Sequence, residues 1–178
     1  MPELSIIIVH HKTPELLKLC LKSIQETSVG LDYEVIVVDS TISRGAQDFI
    51  KEYYGSPTSK LYDIKYLAFK ENLGYSRGVN LGIQKAKGEY LLILNPDIIV
   101  VGDSIQKMLD YMKKHSDIGM LGPKMLNFNG TAQRTYFSFY KPITIIARRT
   151  FLGRFKPFKK ALYDFLMADS DAGKIQTP

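Results

Sequence analysis

The chain holds one cysteine, Cys20. An intramolecular disulfide and a cysteine-rich metal site are therefore excluded. No apolar run reaches the roughly 18 residues of a membrane-spanning helix. Met1-Pro2-Glu3 leads straight into Ile6-Ile7-Ile8-Val9, without the basic stretch and apolar core of a signal peptide. An unsecreted protein in a reducing, intracellular setting is expected. Two phosphate-binding signatures are also missing. Gly74 and Gly78 are four apart, which breaks the G-x-G-x-x-G pattern, and no Walker A lysine motif occurs. Fixed-period repeats and low-complexity tracts are absent. What remains is ordinary globular composition: 178 residues, 45% hydrophobic and 24% charged. That supports a real core and one domain, with a fraction of a second.

Acidic residues are missing from one long stretch. Between Ile118 and Tyr163 there is no Asp or Glu, yet the stretch carries Lys124, Arg134, Lys141, Arg148, Arg149, Arg154, Lys156, Lys159 and Lys160. The rest of the chain keeps 15 of the 24 basic residues against all 18 acidic ones, so it is slightly acidic. Tyr136, Phe137, Phe139, Tyr140, Phe151, Phe155 and Phe158 are interspersed with the basic residues. Three readings compete: a helix pair with aromatics inward and cations solvated, contact with a membrane surface, or nucleic-acid binding. The first is the plainest. The acidic main body argues against a continuous nucleic-acid track.

Strands and helices alternate along the first two-thirds of the chain. Ser5 to His10 is a β-branched strand. Thr13 suits an N-cap and Pro14 the first helical position. Leu17, Cys20, Leu21 and Ile24 then recur at helical spacing, which puts Cys20 in a core stripe. Gly30 ends this element. Glu34 to Val38 reads as a buried strand ending at Asp39. Ala46 to Tyr54 is a helix, broken by Gly55-Ser56-Pro57. Ile64 to Phe69 is a strand, Ser76 to Lys87 a helix with Gly88 at its end, and Tyr90 to Leu94 an apolar strand expected to be central. Ser104 to His115 is a helix with Ile105, Met108, Leu109 and Met112 inward. Met120-Leu121-Gly122-Pro123 suggests one more short strand. The fold class is α/β: a mostly parallel central sheet flanked by helices on both faces, with a basic, helical C-terminal extension. The division expected is 1–133 for the α/β domain and 134–178 for the extension.

In such sheets ligands bind past the carboxyl ends of the strands. His10-His11, Asp39 and Asn95-Pro96-Asp97 fall there. Adjacent histidines on a strand point to opposite faces and make a poor chelating pair. Asp39 reads equally as an acceptor for a ribose or base N–H and as a turn cap. Pro96 holds Asn95 extended, so the loop leaves its strand stiffly. A carboxylate at Asp97 suits an oxygen-loving divalent cation such as Mg²⁺ or Mn²⁺, with phosphate oxygens and water completing the shell. Gly78 and Gly82 share one helix face, where either a ligand or the sheet could approach closely. An interior helical Asn is unfavourable without a partner, so Asn80 is expected to tie loops together. Arg77 reaches outward, toward a phosphate or simply into solvent.

Several strings together resemble a known family. They are Leu4-Ser5-Ile6-Ile7-Ile8-Val9, Pro14-Glu15-Leu16-Leu17, Cys20-Leu21-Lys22-Ser23-Ile24 and Val35-Ile36-Val37-Val38-Asp39. The most specific is the run from Asn72-Leu73-Gly74-Tyr75-Ser76-Arg77-Gly78 through Ala86-Lys87-Gly88 to Asn95-Pro96-Asp97. The chain resembles the inverting nucleotide-sugar glycosyltransferases of family 2, with a GT-A fold, and among them the rhamnosyltransferase-like members. The resemblance covers roughly residues 3 to 133. It implies that Asp39 contacts the base or ribose, and that Asp97 is the metal-coordinating acid of a D-x-D element written here Asn95-Pro96-Asp97. The donor-binding candidates are His10, Asp39, Asn72, Gly74, Arg77, Asn80, Asn95 and Asp97, with Asp97 the ligand for Mn²⁺ or Mg²⁺. The implied partners are a nucleoside-diphosphate sugar and a glycan or lipid-linked acceptor. Peripheral membrane contact and a homodimer are further expectations, and nucleic acid is not a partner.

Three departures stand out. His10-His11-Lys12 replaces the family's Asn-Tyr-Asn, and Arg44 stands where a second Asp is usual. Family members also usually continue well past this length. The chain is accordingly expected to be the donor-binding part of a longer enzyme, and no residue is assigned as catalytic base. Other readings are a non-catalytic relative that binds a partner through its basic segment and a nucleotidyltransferase. The latter needs a glycine- and lysine-rich loop after the first strand, which His10-His11-Lys12-Thr13-Pro14 does not supply.

Overall fold

The computed structural model describes residues 1–40, 44–54, 63–133, 135 and 137–167. The Gly55-Ser56-Pro57 break, Arg134 and Tyr136 lie outside the described residues. The chain forms two compact units, Met1–Leu121 and Gly122–Pro178.

The first unit alternates β1 (Leu4–His10), α1 (Pro14–Thr27), β2 (Tyr33–Asp39), α2 (Arg44–Tyr54), β3 (Asp63–Ala68), α3 (Tyr75–Lys85), β4 (Tyr90–Leu94) and α4 (Ser104–Lys114). The four strands form one parallel sheet in the order β3-β2-β1-β4. Parallel strands need crossovers, and the helices supply them. β1 and β2 are buried along their whole length, as their Ile and Val runs require. One face is closed by Leu17, Cys20, Leu21 and Ile24 of α1, Ala46 and Ile50 of α2, and Ile105 of α4, packed on Ile6, Ile8, Val35 and Val37. On the other face Val79 of α3 packs with Val9, Ile36 and Val38.

Here Gly78 and Gly82 face the sheet, not a ligand. A Cβ on Gly82 would collide with Cγ2 of Ile7, and one on Gly78 would lie 2.8 Å from Cγ1 of Val9. Bare glycine lets the helix backbone settle on β1.

Four local expectations are corrected. Among the described residues β4 lies at the edge of the sheet, not at its centre: apolar composition reports burial but not the number of neighbours. Its Leu91 and Ile93 stay nearly half exposed beside Ser5 and Ile7. Thr13 makes no side-chain cap; its N–H donates to His10 Nε2 instead. α3 stops at Lys85, so Gly88 lies beyond the helix, against the Ser5 backbone. Residues 120–123 form no strand.

At the amino ends of the strands, a polar network fixes the α3–β4 connection. Buried Glu34 accepts hydrogen bonds from Ser5 Oγ (2.7 Å), from the Lys87 N–H (2.7 Å) and from the Lys65 ammonium. Ser5 Oγ in turn accepts from the Gly88 N–H at 2.8 Å. Burial alone raises the Glu34 carboxyl, but the hydrogen bonds outweigh it and hold the group below its ordinary value of 4.5.

The second unit contains a hairpin of β5 (Met125–Leu126) and β6 (Ala132–Gln133), then α5 (Pro142–Arg149), a 3₁₀ turn (Phe151–Arg154) and α6 (Lys156–Phe165). Its centre is Phe165, stacked with Phe137 at 5.4 Å and tilted against Tyr140 at 4.6 Å between ring centroids. The Arg148 guanidinium covers Phe165 at 5.5 Å. The basic extension is thus helical, but Phe139, Phe151 and Phe155 point outward, so its aromatics are only partly turned in.

Candidate functional site

The sheet order reverses direction between β1 and β4. A crevice outside the strand ends is expected at that switch. His10 pairs with Asp39 at the carboxyl ends of β1 and β2, and Ile8 pairs with Leu94, so Asn95-Pro96-Asp97 leaves β4 alongside the end of β1. The β3–α3 connection carrying Asn72 and Gly74 emerges at the same end of the sheet.

His10 and Asp39 are fully buried. His10 Nε2 accepts the Thr13 N–H at 3.0 Å. Its proton therefore sits on Nδ1, which lies 3.4 Å from Asp39 Oδ1 without hydrogen-bond geometry. The Tyr66 hydroxyl donates to Asp39 Oδ2. Burial, and then the Asp39 carboxylate, push the Tyr66 hydroxyl above its ordinary value of 10.0. Tyr66 escaped the sequence reading. It shares a sheet face with Asp39 only through the β2–β3 register, which no sequence pattern specifies.

Asn95 and Asp97 are exposed. They stand on a turn closed by the Ile98 N–H to the Asn95 carbonyl at 3.3 Å. Helix α1 holds this turn from beneath. Cys20 Sγ donates to the Asn95 carbonyl at 3.7 Å. Ser23 Oγ donates to the Cys20 carbonyl at 2.8 Å and accepts the Val100 N–H at 2.9 Å. Cys20 is a core thiol, as its place in the stripe implied, and burial followed by the charge of Asp97 pushes it up to about 12. A thiol so raised is no nucleophile. Ser23 is a second residue that sequence reasoning missed, since a serine on a helix face gives no sign of the loop it will meet.

The other candidates are surface residues. Asn72 Oδ1 accepts the Gly74 N–H at 2.9 Å, a side-chain turn that leads into α3. Gly74 has φ +70°, which glycine adopts without strain. Arg77 is exposed and pairs with Glu71 at 3.6 Å. Asn80 is exposed on α3, and no hydrogen bond of its side chain falls among the described residues. No group of three or more His, Cys, Asp or Glu could hold a metal among the described residues. Asp97 fits a cation differently: a single exposed carboxylate at the crevice leaves most coordination positions to phosphate oxygens and water.

The chain matches glycosyl transferase family 2 over residues 5–169. It belongs to that family. It is 29% identical over 121 residues to an uncharacterized glycosyltransferase of Methanocaldococcus jannaschii, covering 67% of this chain and 40% of that one. It is 26% identical over 145 residues to a chondroitin synthase of Escherichia coli, covering 80% of this chain and 20% of that one. The chain thus spans well under half the length of both relatives. Among solved structures it is similar to S. aureus TarS (TM-score 0.56, 17% identity, 64% of this chain and 20% of that one). It is also similar to a mannosyltransferase from Pyrobaculum calidifontis in complex with GDP-Man and Mn²⁺ (TM-score 0.55, 21% identity, 65% of this chain and 33% of that one). The fold is GT-A, as the resemblance implied, and the strand–helix alternation led us to expect its mostly parallel sheet.

Proposed function

We propose that the first unit binds a nucleoside-diphosphate sugar and belongs to an enzyme that transfers the sugar to a glycan or lipid-linked acceptor. The observation that carries this is the exposed Asp97 on a turn fixed by Cys20 and Ser23, at the switch between β1 and β4. Asp97 would hold Mn²⁺ or Mg²⁺. A divalent cation there offsets the charge of the leaving diphosphate. The Pyrobaculum mannosyltransferase, with GDP-Man and Mn²⁺, supports that pairing of donor and metal.

Tyr66 holds Asp39 beneath the crevice, beside His10, where its carboxylate orients the base or ribose. Asn72 and Gly74 shape the turn into α3, and Asn95, Arg77 and Asn80 line the donor side. Family membership supports an inverting transfer, in which an acceptor hydroxyl attacks the anomeric carbon directly. Rhamnose from a dTDP donor is the sugar that the resemblance to rhamnosyltransferase-like members suggests. Relatives named for amylovoran biosynthesis and for poly-beta-1,6-N-acetyl-D-glucosamine synthesis support a place in polysaccharide assembly. The enzyme works on the cytoplasmic side as a peripheral membrane protein through its basic unit. No helix among the described residues is long and apolar enough to cross a membrane. The half-exposed Leu91 and Ile93 of β4 support self-association into a dimer.

Calorimetric titration with UDP, dTDP and GDP, each with and without Mn²⁺, tests the donor reading. One diphosphate should bind in a metal-dependent way. Absence of binding by the folded chain at millimolar concentration would overturn it.

A further inference from the structure

Helices α5 and α6 pack on one another, and residues of both line a cavity of about 180 Å³ within the second unit. That volume is well below the ~300–1,000 Å³ of sites that take a drug-sized ligand, so it suits one ring with its substituents. Lys141, the residue before α5, and Lys160 on α6 bring two ammonium groups to the wall. Asp164, one turn beyond Lys160, brings a carboxylate. It is the first acidic residue after Asp117, so the long acid-free stretch ends at this cavity.

Two hydroxyls belong to the same lining. Thr144 is 1% exposed, and no hydrogen bond of its hydroxyl falls among the described residues. Its donor and its lone pairs are left for whatever fills the space. Ser138 is tied to the end of α6: its N–H donates to the Phe165 carbonyl at 3.0 Å, and its Oγ donates to the Asp164 carbonyl at 3.4 Å. The lone pairs of Oγ are left to accept. Phe139 and Pro157 add apolar wall beside these groups.

This lining discriminates among ligands. A bare phosphate would pair with the lysines but meet the Asp164 carboxylate in the same small space. A neutral sugar would suit Asp164 and the hydroxyls but gain nothing from the two ammonium groups. An acyl chain finds the walls too polar. A sugar ring that carries a negative charge uses every group. Its charge meets Lys141 and Lys160, its hydroxyls donate to Asp164 and bond with Thr144 and Ser138, and its C–H face rests on Phe139 and Pro157.

We propose that this cavity binds one charged sugar residue, a uronic acid or a sugar phosphate, of an acidic glycan. This rests on the glycan acceptor put forward above and names its chemistry. The cations between Ile118 and Tyr163 attract the remainder of such an anionic chain.

Chemical-shift titration of the full chain with glucose, glucuronate, glucose 6-phosphate and inorganic phosphate tests the site. At least one charged sugar should bind about tenfold more tightly than either glucose or inorganic phosphate. Which of the two binds better identifies the charged group. Lys141→Gln/Lys160→Gln should weaken that binding about tenfold, and Thr144→Val about three- to tenfold. Lys156→Gln/Lys159→Gln removes the same charge from exposed positions outside the cavity lining and should change little. Circular dichroism checks that all three variants remain folded. Glucose binding as tightly as both charged sugars overturns the proposal, as does inorganic phosphate binding as tightly as the better of them. Equal losses from the two lysine pairs also overturn it, since the attraction would then belong to the basic stretch as a whole. Titration of the same preparation with nucleoside diphosphate separates this claim from the donor reading. Charged-sugar binding absent while diphosphate binding persists refutes the cavity site alone, and the reverse refutes the donor site alone.

Discussion

His10 Nδ1 lies 3.4 Å from Asp39 Oδ1 across the β1–β2 pair, with both side chains fully buried. The opposite nitrogen of the same ring accepts the Thr13 N–H at 3.0 Å, where the chain turns from β1 into α1. One imidazole thus joins the end of the sheet to the start of a helix and lies beside a carboxylate beneath the crevice.

Replacing His10 with Leu roughly keeps the volume but removes both polar ends. The Thr13 N–H then loses its acceptor and Asp39 loses a neighbour. A cost of about 1–3 kcal/mol is expected, the usual penalty for an orphaned buried polar group. Urea denaturation measures it. An unchanged midpoint would show that the imidazole contributes only volume.

Ser23 links α1 to the loop that carries Asp97. In Ser23→Ala the buried Val100 N–H loses its acceptor, with a loss of roughly 1–3 kcal/mol in stability. The same change loosens the turn, so the affinity for metal and diphosphate should fall about three- to tenfold, a matter of positioning. Calorimetry and urea denaturation on one preparation read both effects. Stability lost with affinity intact would separate Ser23 from the site.

The Glu34 network gives a stability profile with a definite sign. Its carboxyl is held below the ordinary 4.5 in the folded chain, so the unfolded chain binds the proton more readily. The stabilisation is complete above about 4.5 and disappears as pH falls through the lower folded value. Urea denaturation between pH 3 and 7 should show a fall on the acid side that Glu34→Gln flattens. A Glu34→Gln profile parallel to that of the parent would assign the acid limb to other carboxylates.

Much of this arrangement is legible from residue order. The Ile and Val runs locate β1 and β2, and the Leu17, Cys20, Leu21, Ile24 stripe locates the buried face of α1. Gly78 and Gly82 mark a close approach, although only the structure decides that the sheet makes it. The strand-end rule brings His10, Asp39 and Asp97 to one edge. What stays hidden is whatever depends on register or on neighbours far along the chain. Tyr66 reaches Asp39 because β3 pairs with β2 in one register. Ser23 meets Val100 across 77 positions of sequence. Tyr90 to Leu94 is as apolar as a central strand, yet one side of β4 has no partner strand in the described sheet. Glu34 sits within a β-branched run, and its burial makes sense only once Ser5, Lys65 and the Lys87 N–H surround it.

The central claim is that Asp97 holds a divalent cation together with the donor diphosphate. Electron paramagnetic resonance of Mn²⁺ reads this directly, since free Mn²⁺ loses its sharp signal when it joins a protein–diphosphate complex. Titrating the chain into Mn²⁺ and the diphosphate that it binds should quench that signal beyond the effect of diphosphate alone. Asp97→Ala, folded to the same extent by circular dichroism, should abolish the extra quenching. Undiminished quenching by Asp97→Ala would contradict the account and place the metal elsewhere.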